Sequence, residues 1–578
     1  MPILASTEGL NQEAYLKSTD IGSDGLGSAV AVSGRFAVVT APAEDSASRG
    51  VNPVPDEDGT NSGAAYVYER IGGVWTFHSF LKSSNSDAGD NFGTAAALDG
   101  DLLAISATDE GSNAIGVNED QANNDAPNSG AVYIFRLDGD TWVQEAYLKA
   151  SNPDTNDRFG NALALDGETL VVGAEDDDGN ATESGSAYVF VRSNGTWTEQ
   201  ARLNVASPRL RDEFGAAVAI AGDTLVVGSP AEDGSAIGVN GAKNEDANLS
   251  GAAYVFTRSG EVWTEVAYLK ASNTDPEDRF GSTVAISGNT IAVGSVHERG
   301  SIGGINPVTN NDVLRTGAVY VFVDNGAGWE TQATIKAAFP TRDDEFGNEV
   351  VISGDLLVVA SLEESGASSG IDADETTDGA ASSGAVYLFT REGSTWTQAR
   401  YLKASNAGGG DKFGTSIALH SEDAGDLLLV GAPAEDGSSP GVNGPDNDSW
   451  GNAGAAYAFV IPRAIIGLSR KGRVYSSDAR TTFPRTIVKK RSRPAVFTIH
   501  SEGYASLSSI RLSTLGKSRR SFRVTKPSTD TVAPDGSVRF KVTFRPTTNR
   551  KQKATLRITS NASNANPFTH RLEGRGRS

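Results

Sequence analysis

One pattern recurs along most of this chain: an Asp, any residue, Phe-Gly, then a run of small and β-branched residues. The Phe-Gly pairs are Phe92-Gly93, Phe159-Gly160, Phe214-Gly215, Phe280-Gly281, Phe346-Gly347 and Phe413-Gly414, with Leu26-Gly27 as a degenerate first copy. From Leu26 onward the steps are 66, 67, 55, 66, 66 and 67 residues. A period of this length restricts the chain to a stacked or radial repeat.

One repeat reads as four strands. Ala216–Ala221 is a buried run, Gly222-Asp223 a tight hairpin, and Thr224–Gly228 a second strand. After a long polar loop come Gly251–Phe256, a turn at Ser259-Gly260, and Trp263–Lys270. Four antiparallel strands repeated seven times predict an all-β fold, a seven-bladed β-propeller. The seventh repeat stops at Ala455–Phe459 and lacks a fourth strand, whereas Glu13-Ala14-Tyr15-Leu16-Lys17 stands alone before the first. The N-terminal strand is therefore expected to complete the last blade and close the ring.

Two recurring residues read as frame. The Asp two residues before each Phe-Gly (Asp24, Asp90, Asp157, Asp212, Asp278, Asp344, Asp411) suits a side chain accepting backbone N–H bonds in a turn. Trp75, Trp142, Trp197, Trp263, Trp329 and Trp396 occupy one position on the outer strand, which points to packing between blades.

Charge divides the chain. The net charge is −23, but residues 463–578 hold 26 basic and 5 acidic residues, leaving a net −44 on residues 1–462. This predicts two domains, 1–462 and 463–578. The acidic part should repel nucleic acid; the basic part suits polyanions or an acidic partner. With no cysteine, disulfides and thiolate metal sites are excluded. No apolar run is long enough to span a membrane, and the N-terminus lacks the features of a signal peptide.

Phe-Gly followed by a strand and Gly431-Ala432-Pro433 or Gly228-Ser229-Pro230 resembles the FG-GAP repeat of integrin α-subunits, and more closely bacterial FG-GAP proteins with long Ala-Glu-Asp-Gly…Gly-Val-Asn loops. The resemblance spans about residues 11–460 and implies an extracellular or bacterial cell-surface protein of adhesion or recognition, its signal peptide removed. The family's calcium loops sit in the first hairpin of a blade. Here that hairpin is minimal, as at Gly34-Arg35 and Gly354-Asp355, so the site is not carried over; only Ser421–Asp426 is longer. The tail, with Val496–Ile499, Phe522–Val524, Val538–Phe544 and Ala554–Ile558, alternates as half-buried strands. It resembles immunoglobulin-like domains of the ASPM/SPD-2/hydin or bacterial choice-of-anchor type, implying an immunoglobulin-like β-sandwich.

Long acidic loops between strands two and three share one face with the connections between blades. Variable loops on a rigid scaffold carry binding. Their repeated tripeptide places Asn52, Asn118, Asn240, Asn306, Asp372 and Asn443 as ligand-face residues. Clustered carboxylates are the ligands calcium requires, so Glu175, Asp176, Asp178, Glu232, Asp233, Glu435 and Asp436 are its candidate ligands, against the plainer reading of a solvated acidic loop. Calcium is the one cofactor the pattern raises. The five histidines recur at no repeat position, and no nucleophile or phosphate motif is present, so no catalytic residue is assigned and the chain is read as not an enzyme. The expected function is recognition of a protein or polysaccharide through the acidic loop face. The alternative is a structural subunit that assembles head-to-tail, acidic propeller against basic domain. A polysaccharide-active propeller enzyme is the third reading.

Overall fold

The computed structural model describes residues 10–19, 22–56, 58–179, 181–206, 209–422, 425–437, 439–444, 451–462, 466–471, 473–475, 480–501, 507–532, 536–560 and 568–577. Two compact units are present. One spans Gln12–His420 and Leu428–Ala458; the other includes Phe459–Ser578.

Seven antiparallel sheets make up the repeats, each with its four main strands in chain order except the last; the fifth adds the short strand Gly304–Ile305 beyond its fourth. In the fourth, Ala217–Ala221, Thr224–Ser229, Ala252–Ser259 and Val262–Leu269 lie side by side. The second strand is built of small and branched residues and is buried from Leu225 to Ser229, because it faces a neighbouring blade on either side. Six blades show a register shift between the third and fourth strands, as at Val255/Phe256, and such bulges raise local twist. In the last sheet the order is Asn11–Leu16, Ala455–Pro462, Gly425–Ala432, Ser416–Glu422, so the N-terminal strand does complete the seventh blade. The tip of its first hairpin, Asp423-Ala424, lies outside the described residues.

The Phe-Gly motif joins one blade to the next. The Phe280 N–H donates to the Ser250 carbonyl at 2.9 Å, and Phe159, Phe214, Phe346 and Phe413 repeat the bond to Ser129, Ser184, Thr316 and Ser383. Leu26 makes it to Ala453 at 3.3 Å, which closes the ring from first blade to seventh. The rings of Phe92, Phe159, Phe214, Phe280 and Phe346 then pack against a Tyr and a Phe of their own third strand, edge-on in the case of Phe280 with Phe322, and Phe413 packs edge-on against Tyr457. Gly251, at φ 79°, follows the accepting Ser250, and a Cβ there would lie 2.1 Å from the Phe280 carbonyl oxygen. A side chain is thus excluded at the joint by both conformation and space.

The expected roles of Asp and Trp hold. Asp90, Asp157, Asp212, Asp278, Asp344 and Asp411 each accept the N–H of the residue three before them, at 2.6–2.9 Å. Trp197 Nε1 donates to Glu145 of the preceding blade at 3.0 Å, and Trp75, Trp263 and Trp396 make the same bond to Glu13, Gln200 and Gln332.

The second unit is a two-sheet β-sandwich. One sheet orders Arg473–Tyr475, Ile466–Arg470, Ala495–Ser501, Ser537–Phe544 and Phe522–Val524; the other orders Arg480–Thr482, Phe568–Arg577, Lys551–Thr559 and Arg511–Leu515. Phe497, Ile499, Phe540, Leu556, Ile558 and Leu572 share its core. The final strand, Phe568–Arg577, escapes sequence reading because its outward positions are Arg and Glu and its inward ones include two glycines.

Replacing Gly251 by Ala should lower stability by more than about 1 kcal/mol, since neither the left-handed backbone nor the facing carbonyl accommodates a methyl. Thermal unfolding of Gly251→Ala beside Gly260→Ala, whose added Cβ meets nothing within 4 Å, isolates the joint from the backbone strain the two share. Equal losses in the two variants would show that the contact at the joint adds nothing.

Candidate functional site: the long-loop face

Each long loop is fastened at its base by a buried lysine. A Lys closes or follows the fourth strand, and the second strand runs into a loop with a glutamate near its start set opposite it. Lys149 Nζ lies 2.9 Å from Glu110 and 2.7 Å from Ser129 Oγ. Lys82 does the same with Glu44 and Ser62 at 2.6 and 2.7 Å, Lys270 with Glu232 and Ser250 at 2.9 and 2.8 Å, and Lys403 with Glu364 and Ser383, both at 2.6 Å. Lys336 pairs with Glu298 and Thr316, and Lys17 of the closing strand with Glu435 at 2.7 Å. All six lysines are buried. Burial pulls the amines of Lys82, Lys149, Lys270, Lys336 and Lys403 below their ordinary value, and the facing carboxylate opposes that pull. An Asn from the connection between blades completes the cluster: Asn85, Asn273 and Asn406 donate to Glu110, Glu298 and Glu435 at 2.8–3.0 Å.

The Gly-Val-Asn segments turn inward. Tyr268 N–H donates to Asn240 Oδ1 at 2.9 Å, Asn240 N–H donates back to the Tyr268 carbonyl at 2.8 Å, and Lys270 N–H reaches Gly238. Asn52, Asn118, Asn306 and Asn443 bond Phe80, Tyr147, Thr334 and Tyr15 in the same two-way manner, while Asp372 donates its N–H to Tyr401. These loops cover the edge of their own outer strand, and the amide oxygens expected to face a ligand take part in that pairing. The segment makes the blade partly five-stranded, formally so at Gly304–Ile305.

The third blade differs. Its short loop has no covering segment, Asn204 stands where the other blades have Lys, and Asp177 replaces the glutamate, held by Arg202 at 2.7 Å and by the Tyr188 hydroxyl. Ser184 Oγ, where the lysine would dock, has no partner.

The candidate calcium ligands do not converge. Among the described residues, no three His, Asp or Glu side chains gather around one point. Glu232 is shared by Lys270 and the Tyr268 hydroxyl, the latter at 2.8 Å, and Glu435 is shared by Lys17 and Asn406. Asp233 and Asp436 accept the Leu249 and Asn452 N–H groups at 2.7 and 2.9 Å, and Asp178 accepts that of Glu183 at 3.0 Å. Asp176 faces Arg158 at 3.6 Å. Glu175 is pushed up to about 7 by burial, with Asp176 and Glu213 adding to the effect.

Burial also raises the turn aspartates, to about 7 for Asp90, Asp157 and Asp278 and about 6 for Asp212 and Asp344. Each lies beside a loop-base carboxylate and accepts a local backbone N–H, to which Asp344 adds the Thr341 hydroxyl at 2.7 Å.

What the face presents to solvent is apolar at its tips. Val54 is 86% exposed, Val308 78%, Ile237 62% and Ile115 58%. Ile115 and Ile237 immediately precede the covering tripeptide in two different blades. Leu210 and Phe339, on connections between blades, are exposed too. Sequence reading passed over these residues because it followed charge. It missed the lysines as well, although a Lys recurring at one register of a buried strand was a visible signal.

Segments 75–135, 142–190, 197–256, 263–322 and 396–459 match the FG-GAP repeat family, together just over half of the chain. No curated protein matches it significantly. Among solved structures, the ASH / PapD-like domain of human CEP192 (PapD-like domain 7) is similar over 20% of this chain and 87% of that one, at 14% identity and a TM-score of 0.15.

Lys149→Met should destabilise the chain by about 3–5 kcal/mol, because Glu110 is left charged and buried. Adding Glu110→Met should recover much of that loss in denaturant titration; a double variant as weak as the single would show that the pair supplies stability outright. A second outcome concerns pH. The turn aspartates titrate above their ordinary 3.8, so the folded chain keeps protons that the unfolded chain has already released. Their cost is absent below about pH 4 and grows as pH rises through 6 to 7. Asp278→Asn keeps the acceptor for the Asp275 N–H and removes the charge. It should narrow the difference in melting temperature between pH 5 and pH 8, and an unchanged difference would assign the pH dependence elsewhere.

Proposed function

Because the chain belongs to the FG-GAP repeat family, whose propellers are of the binding or adhesion type, we propose that it is an extracellular recognition protein that holds a protein ligand on its long-loop face. FG-GAP repeats are typical of extracellular proteins, and no helix among the described residues is long and apolar enough to cross a membrane. The role proposed is binding without catalysis.

The observation that carries this reading is the pairing of fixed loop bases with apolar tips. A loop stapled by a buried ion pair and a covered sheet edge loses little freedom on binding, so contact at its tip is not offset by ordering. Exposed Ile and Val gathered on one face mark a protein-binding surface more than a sugar-binding one, which would show aromatic platforms and convergent polar groups. The short-turn face shows such residues at Ile71, Val74 and Val262, in two blades. Acidic residues around the tips set the sign of the partner, favouring a basic surface and a faster approach at low salt.

The test is a triple variant, Ile115→Ser, Ile237→Ser and Val308→Ser, offered with the parent chain to an array of purified extracellular proteins. These side chains are exposed, so stability should stay within about 0.5 kcal/mol. Binding of any protein captured by the parent should weaken at least tenfold. Unchanged binding would move the site off this face.

A further inference from the structure

We propose that the outer face of the second sandwich sheet is a binding site for an anionic polysaccharide, a linear sugar chain bearing carboxylate or sulfate groups. The argument is independent of the loop-face reading and rests on the register of three strands.

Along Lys551–Thr559 and Phe568–Arg577 the odd-numbered positions point away from the core, because Leu556, Ile558 and Leu572 point into it. The outward positions bring Lys551 directly opposite Arg575, and Arg571 beside Arg480 of the neighbouring parallel strand. Like charges placed opposite one another on a sheet are destabilising. Here two such pairs occur on one face, with Lys553 and Arg557 adjoining them. Among the described residues one acid answers them: Glu573 is nearly buried and lies 2.7 Å from Lys551, 3.6 Å from Lys553 and 3.7 Å from Arg480. Hydrogen bonding to Lys551 holds its carboxyl below the ordinary value. Glu573 thus gathers three cations whose side chains remain more than half exposed, and it neutralises only one charge.

The surface is also concave. A groove of about 880 Å³ runs over it, lined by Arg480, Lys517, Lys551, Lys553 and Arg571 around the central Glu573. Strands about 4.8 Å apart, with outward residues about 6.8 Å apart along each, set the cations on a grid. A grid suits charges repeated along a polymer, whereas a single small anion would call for convergent donors. Among the described residues no aromatic side chain lines the groove, so unpaired bases find no stacking platform there. The net −44 of residues 1–462 opposes duplex nucleic acid, with a charge about every 1.7 Å of its axis, more than an acidic sugar chain whose charges are spaced farther apart.

The test uses the full chain with fluorescent heparin and polygalacturonate, uncharged dextran as a blank, and duplex DNA as competitor. Binding of both acidic polysaccharides should fall steeply with added salt. The variant Arg480→Gln/Lys553→Gln/Arg571→Gln should weaken it at least tenfold. The control Arg523→Gln/Arg539→Gln/Lys541→Gln, an equal charge change on the other sheet, should change it less than threefold. Equal losses in both variants would reduce the effect to net charge and overturn the site. Absence of binding at physiological salt, or tighter binding of duplex DNA, would overturn it too. Salt-reversible self-association lost in the first variant alone would assign the face to the acidic propeller of a second copy instead.

Discussion

A buried lysine paired with a glutamate holds this propeller in register with its loops. An amine taken out of water must find an anion and further acceptors at fixed positions, or the fold does not form. In five blades the amine reaches a glutamate at the start of the long loop and the hydroxyl before the third strand, and the carbonyl of that hydroxyl residue accepts the Phe N–H of the next blade; in the seventh blade Ala453 takes the hydroxyl's place and its carbonyl accepts the Leu26 N–H. One residue, Ser129 in the second blade, therefore links loop base, sheet and neighbouring blade. Such a network contributes more to uniqueness than to net stability, since well-packed apolar residues could fill the same space. That suits a scaffold whose loops must return to the same place around a ring.

The covering tripeptides follow the same economy. A propeller leaves the outer strand of every blade with unpaired backbone groups, and the Asn side chain supplies the carbonyl that a further strand would have provided. This explains why those residues misled sequence reading. An amide oxygen suited to calcium or a ligand is equally suited to a backbone N–H, and only the three-dimensional neighbour decides between them. The third blade, shorter by the covering segment, leaves Ala201 and Arg202 half-buried where the second blade buries Ala146 and Tyr147.

Much of the fold was legible. Period-two alternation, two-residue hairpins and the spacing of Phe-Gly marked the strands, and the orphan strand at Glu13–Lys17 announced ring closure. The turn aspartates and outer tryptophans were read correctly because a residue repeated at one position around a ring serves the frame. The lysines were equally repeated, yet a Lys at a strand end reads as solvated until the loop acid is seen folding over it. In the sandwich, the basic excess was plain from composition, but its concentration on one face depends on which residues the register places outward.

The sequence alone determined the class of fold, the number of blades, the strand that closes them and the opposed charge of the two ends. These follow from local periodicity and from counting, which need no knowledge of partners. Tertiary structure decided which polar groups are free. Glu232 and Asn240 are tied to the strands beside them, Ile115 and Ile237 stand in solvent, and Lys551 and Arg575 face each other across a ladder. Availability is a property of neighbours brought together from tens of residues away, and for that reason no motif carries it.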